Sequence, residues 1–168
     1  PSRITPTGYS PIVYVVYQPE DMLMVRSIID TFLCAKADFY GFKAHIISMG
    51  ELLDKYINNH DYREIWTDPS VNEDEMYNSI KQEIVSDGYL EKSILQIHDE
   101  LLADGNALLV IKDVEMLHPF YMMGVIENKI YNKIKVPILV FYPGETQGTA
   151  RSFLGLYNQD GNYRSINF

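Results

Sequence analysis

The chain has 168 residues, 46% hydrophobic and 22% charged, an ordinary globular balance at a length that buries a core without disulfide or metal staples. Its 14 Lys and Arg against 23 Asp and Glu give a formal net charge of −9, which argues against direct nucleic-acid binding because phosphate contacts need clustered cations. No run approaches the ~18 continuous apolar residues of a membrane span, and a single cysteine excludes an intramolecular disulfide and suits a reducing, cytoplasmic setting.

Residues 1–10 are short and polar, unlike a signal peptide, and read as a flexible lead-in to a single α/β domain over 1–168. Residues 11–17, PIVYVVY, are a near-continuous apolar and β-branched run, the pattern of a strand buried on both faces. Pro19 with Glu20 and Asp21 marks a helix start. Val25, Ile28, Ile29 and Phe32 then predict an inward stripe, with Cys34 as a small buried hydrophobe within it and Gly41 as the stop.

Residues 42–49 predict a second strand, and Ser48 with Glu51 has the spacing of a capping box. Leu52, Leu53, Tyr56 and Ile57 form the apolar face of the helix that follows. Residues 60–72 read as a loop. Asn72 caps a helix to about Ser86 with Met76, Ile80 and Ile84 on one side, and Asp87-Gly88 separates it from a helix carrying Ile94, Ile97 and Leu101, with His98 at the edge of its stripe. Residues 107–112 and 136–142 are two more buried strands, with a helix from Pro119 between them that turns Phe120, Met123, Ile126 and Ile130 inward. Lys129, Lys133 and Lys135 read as cations at a helix end. In the tail, 151–157 and 162–168 flank Asn158-Gln159-Asp160-Gly161, a hairpin signal.

The order predicts an α/β fold: a mostly parallel sheet flanked by helices on both faces, a Rossmann-like three-layer arrangement without a phosphate loop, with a C-terminal antiparallel β-hairpin at one edge. In such sheets ligands bind beyond the carboxyl ends of the strands. Neither G-x-x-x-x-G-K-[ST] nor G-x-G-x-x-G occurs, and Glu20 and Asp21 fill the helix start where a phosphate would sit. Residues 108–113, LLVIKD, resemble a Walker-B strand lacking its partner loop. No G-x-S-x-G elbow is present, and His45, His60, His98 and His118 form no zinc spacing. No cofactor and no catalytic residue set is expected.

Three features remain. Pro143, Gly144, Glu145, Gly148 and Arg151 follow the last buried strand and read as a binding loop, with Arg151 available to an acidic partner. Trp66 is a candidate interface anchor, weighed against a packing contact. Asp21, Asp113, Glu115 and Glu145, with Glu20, lie at strand ends. The alternative functional reading is therefore an Mg²⁺-dependent phosphoryl-transfer or nuclease-like enzyme, provided these carboxylates converge.

Phe141, Tyr142, Pro143, Gly144, Glu145, Gly148 and Arg151, then Gly161, Asn162 and Tyr163, resemble the C-terminal segment of the BrxB family. Tyr17, Gln18, Pro19, Glu20 and Asp21 resemble its opening strand and helix start, and Tyr62-Arg63-Glu64 its middle. The usual Gly-Trp-Asn-Tyr tail is shortened to Gly161-Asn162-Tyr163, and the family's longer N-terminal region has no counterpart. The resemblance implies a small component of a BREX bacteriophage-exclusion system. It implies a protein partner, with a PglZ-like component the first candidate, and supplies no catalytic residues to carry over.

Overall fold

A computed structural model describes residues 11–147, 150–154 and 166–167. The chain runs from strand β1 (Ile12–Tyr17) through a 3₁₀ turn (Pro19–Asp21), α1 (Met22–Ile28), a π turn (Ile29–Leu33) and α2 (Cys34–Phe39) to β2 (Lys43–Ser48). Helices α3 (Met49–Asn59), α4 (Arg63–Trp66), α5 (Glu73–Asp87) and α6 (Tyr89–Leu101) precede β3 (Ala107–Lys112). A 3₁₀ turn (Val114–Leu117), α7 (Met123–Ile130) and a second one (Tyr131–Lys133) lead to β4 (Ile138–Gln147), β5 (Ala150–Phe153) and β6 (Ile166–Asn167).

β2, β3, β4 and β1 lie in that order as a parallel sheet, so the fold is α/β with a parallel core. Alternation along each strand divides the apolar side chains between two clusters. Ile12, Tyr14, Leu109, Ile111, Ile138 and Val140 join the larger one with α3, α5, α6 and α7. Val15, Tyr17, Leu108, Val110, Leu139 and Phe141 join the smaller one with Val25, Ile29 and Leu33.

The local stop and start signals act as expected at several points. The Ser48 side chain accepts from the Glu51 N–H at 3.2 Å, and Asn72 Oδ1 accepts from Asp74 and Glu75 at the start of α5. Gly88 takes a left-handed φ of 58° between α5 and α6, a backbone region open to glycine at low cost.

The tail departs from the expected hairpin between 151–157 and 162–168. β4 runs on past Tyr142 to Gln147, and Gly144–Gln147 pairs antiparallel with β5. β6 pairs parallel with β1 through Val13 and Tyr14, so it is not the antiparallel partner of β5. The turn signal at 158–161 lies outside the described residues. β5 thus pairs with the strand just before it in sequence, whereas β6 pairs with a strand at the other end of the chain.

Three local expectations are also corrected. The inward face of the first helical segment is Val25, Ile29, Leu33 and Ala37, while Ile28, Phe32 and Cys34 face outward. Steps of four over-rotate an α-helix by ~40° each; the wider π turn at Ile29–Leu33 absorbs the excess and keeps the stripe straight. Residues 118–120 turn instead of opening a helix at Pro119, with the Phe120 and Tyr121 N–H groups both donating to the Leu117 carbonyl at 2.8 and 2.9 Å, and α7 begins only at Met123. His98 is buried rather than at the edge of its stripe: Nε2 accepts from the Lys135 and Val136 N–H groups at 2.9 and 3.2 Å and anchors the entry to β4.

Candidate functional site

The carboxyl ends of β1, β2 and β3 meet in a charged cluster. Arg26 of α1 reaches Asp113 Oδ1 with Nε at 2.8 Å and Glu115 Oε1 with Nη2 at 2.5 Å. Ser48, the cap of α3, donates to Asp113 Oδ2 at 2.6 Å. Asp113 holds a φ of 58°, a left-handed conformation that aspartate tolerates better than most residues. Burial raises the Tyr17 phenol well above its ordinary pKa, and the neighbouring Glu115 charge adds to the effect. For Arg26, burial works to lower the pKa, but Asp113 and Glu115 outweigh it and the guanidinium is held more firmly protonated.

This geometry neutralises the third strand's acids from within the chain. Asp113 and Glu115 do come together, but around Arg26. Glu20, Asp21 and Glu145 are exposed, and among the described residues no three His, Cys, Asp or Glu side chains are placed to hold a metal ion. The carboxylate convergence on which the phosphoryl-transfer reading depends does not occur among them.

The segment expected as a binding loop continues as strand. Pro143 and Gly144 are buried within β4, paired in register with Tyr17 and Phe153 respectively. Glu145 is exposed, and Gly148 lies outside the described residues. Arg151 is 1% exposed, with Nη2 3.3 Å from Glu127 Oε2. Its guanidinium stacks 3.5 Å from the centre of the Tyr14 ring, and the Tyr14 hydroxyl donates to Glu127 Oε2 at 2.7 Å. Burial, with the Glu127 charge second, pushes the Tyr14 phenol well up. A buried guanidinium held by an internal carboxylate is a core device, so the acid that Arg151 meets is Glu127 of its own chain.

Sequence reasoning missed Glu127. The signal was present: Glu127 follows Met123 at i+4 and Ile126 directly, on the apolar face of α7, where a carboxylate requires a buried partner.

Trp66 likewise turns inward at 4% exposure. Its indole N–H donates to Ser79 Oγ at 2.9 Å, and its ring stacks on His60 at 4.4 Å between centroids. The interface anchor becomes a packing contact because the short helix α4 folds residues 63–66 back onto α3 and α5.

The outer face of α1 and α2 is unlike the rest of the surface. Leu23, Met24, Ile28, Phe32, Phe39 and Tyr40 are large apolar side chains between 47% and 78% exposed. Met24, Ile28 and Phe32 are spaced by four along one helical segment, so they form a stripe rather than scattered exposures. Among the described residues no helix is long and apolar enough to cross a membrane.

No curated protein and no solved structure matches the chain. The BrxB family model, described as BREX protein BrxB, matches residues 37–168. That span holds the Tyr62-Arg63-Glu64 segment and the whole Pro-Gly-Glu tail, while the Tyr17–Asp21 likeness lies before it. On this match over well more than half of its length, the chain belongs to the BrxB family.

Proposed function

We propose that this chain is a noncatalytic protein-interaction component of a BREX-type phage-defence assembly, working in the cytoplasm as one Rossmann-like three-layer domain that has no phosphate loop and takes no cofactor. The observation that carries this reading is the exposed apolar stripe Met24, Ile28 and Phe32, flanked by Leu23, Phe39 and Tyr40. Contiguous apolar surface of this kind marks interaction sites on soluble proteins. Family membership supplies the context. The internal neutralisation of Asp113 and Glu115 by Arg26 supports a structural use of the strand-end acids. A PglZ-like component is the first partner to test, and Glu145 is the exposed side chain of the Pro143–Glu145 segment.

The test is a pull-down of the chain against each protein encoded beside its gene, repeated with I28S/F32S. A stoichiometric complex with one neighbour, lost in the double variant while its melting temperature is kept, supports the reading. No complex with any neighbour, or one indifferent to the double variant, refutes it as stated.

A further inference from the structure

A cavity of about 420 Å³ opens between α5, α7 and residues 118–123. Its lining is mainly apolar: Val85 on α5, Val125 on α7, and Phe120, Met122 and Met123 between them, with Val114 and Tyr142 contributing from the sheet side. The volume falls within the range of small-ligand sites, which pair an apolar wall with a few placed polar groups. Methionine lets such a wall adjust to its occupant.

The charged residues of the lining are cations. Lys81 and Lys129 border the cavity, and among the described residues no Asp or Glu does, in a chain whose net charge is −9. The two lysines stand in different relations to the fold. Lys129 is positioned by its own chain, with Nζ 2.8 Å from Glu91 Oε1 and 2.6 Å from the Tyr121 hydroxyl, yet its side chain stays 43% exposed. Lys81 is exposed and has no ion pair or hydrogen bond among the described residues. Each lysine lies one helical turn from a wall valine, Lys81 from Val85 and Lys129 from Val125, so each helix contributes an apolar contact beside a positive charge.

We propose that this cavity is a binding site for a small organic anion, one with an apolar or aromatic body and a single carboxylate, phosphate or sulfonate head. The body lies against Val85, Val125, Met122 and Met123, and the head meets Lys81, with Lys129, already paired with Glu91, at the border beside it. The site is separate from the α1–α2 stripe, so it stands or falls independently of the partner reading.

The probe is anilinonaphthalene sulfonate, an aromatic body with one anionic head, titrated by fluorescence into the whole chain beside the neutral phenylnaphthylamine. One saturable site is expected. Val125→Trp, which fills the cavity from a half-exposed wall, abolishes it. Lys81→Glu, at an exposed position that leaves the core untouched, weakens the sulfonate by about three- to fivefold, the scale of a solvent-exposed charge contact, and leaves the neutral probe unchanged. Phe32→Ser, on the α1 face, changes neither. Melting temperatures confirm that each variant is folded, and Val85→Trp replaces Val125→Trp if that variant is not. Absence of saturable binding, unchanged binding in the filled variant, or loss in Phe32→Ser overturns the site. Equal loss of both probes in Lys81→Glu, or loss of neither, overturns its preference for anions.

Discussion

The guanidinium of Arg151 lies 3.5 Å from the centre of the Tyr14 ring, joining a residue of β5 to strand β1 across 137 positions of sequence. With Glu127 it forms a buried charge pair inside an apolar core. Breaking such a pair from one side leaves a charge in a medium that solvates it poorly. Arg151→Ala is expected to destabilise the fold by about 3–5 kcal/mol in urea denaturation. Arg151→Lys should recover only part of this, since an ammonium lacks the planar face that stacks on Tyr14. The double change Arg151→Met with Glu127→Gln should cost less than Arg151→Ala. A loss below 1 kcal/mol for Arg151→Ala would remove the pair from the core's account.

His98 serves two backbone donors at the entry to β4. His98→Ala deprives the Lys135 and Val136 N–H groups of their acceptor and is expected to cost about 2–3 kcal/mol. Hydrogen exchange at these two amides should rise before exchange in the rest of β4. Uniform exchange along β4 would show that the contact is not a local anchor.

Arg26 holds Asp113 and Glu115, whose side chains are only 12% and 10% exposed. Arg26→Ala leaves two neighbouring carboxylates facing each other and is expected to destabilise by about 2–4 kcal/mol. Adding Asp113→Asn and Glu115→Gln to that variant removes the repulsion and should restore much of the loss. If the triple variant is as unstable as Arg26→Ala, packing of the arginine stem, not charge, is the dominant contribution.

Four phenols are shifted upward, each chiefly by burial: Tyr14, Tyr17, Tyr56 and Tyr121. The Tyr56 hydroxyl also donates to Asp87 at 2.8 Å. A phenol whose folded pKa is raised stabilises the fold fully below the ordinary tyrosine value of about 10 and loses that contribution as pH rises through the folded value. Ultraviolet titration should therefore show two groups of tyrosines, the later one ionising together with unfolding. A single smooth transition near pH ~10, with the fold intact, would contradict the burial.

Gly88 turns α5 into α6 at a φ of 58°, and a Cβ there would meet only Glu91 Oε2, at 3.9 Å. Gly88→Ala is thus a conformational cost without a clash, expected at about 1–2 kcal/mol. Gly88→Asn should cost less, because asparagine enters the left-handed region more readily.

What was legible in the sequence followed from short-range physics. The runs 107–112 and 11–17 mark strands because only burial on both faces tolerates continuous apolar character. Ser48 and Asn72 mark helix starts because their side chains satisfy free N–H groups two or three residues away. The family likeness rested on the Pro-Gly-Glu tail for the same reason: its residues are contiguous. The structure then places Pro143, Gly144 and Glu145 of that tail in a strand ladder, a role Gly144 did not suggest.

The candidate site was read less well, because each side chain's role depends on groups distant in sequence. Trp66 and Arg151 look like exposed handles until Ser79, His60, Tyr14 and Glu127 arrive around them. Asp113 and Glu115 look like metal ligands until Arg26 arrives from α1. Phe32 and Ile28 look like core until the sheet takes Val25, Ile29 and Leu33 in their place. The sequence by itself determined the α/β order, the helix caps and the family, since these depend on periodicity and near neighbours. Only the tertiary structure decided which charges are neutralised within, which apolar residues are left facing outward and where a cavity opens, because those follow from contacts between segments that no local pattern specifies.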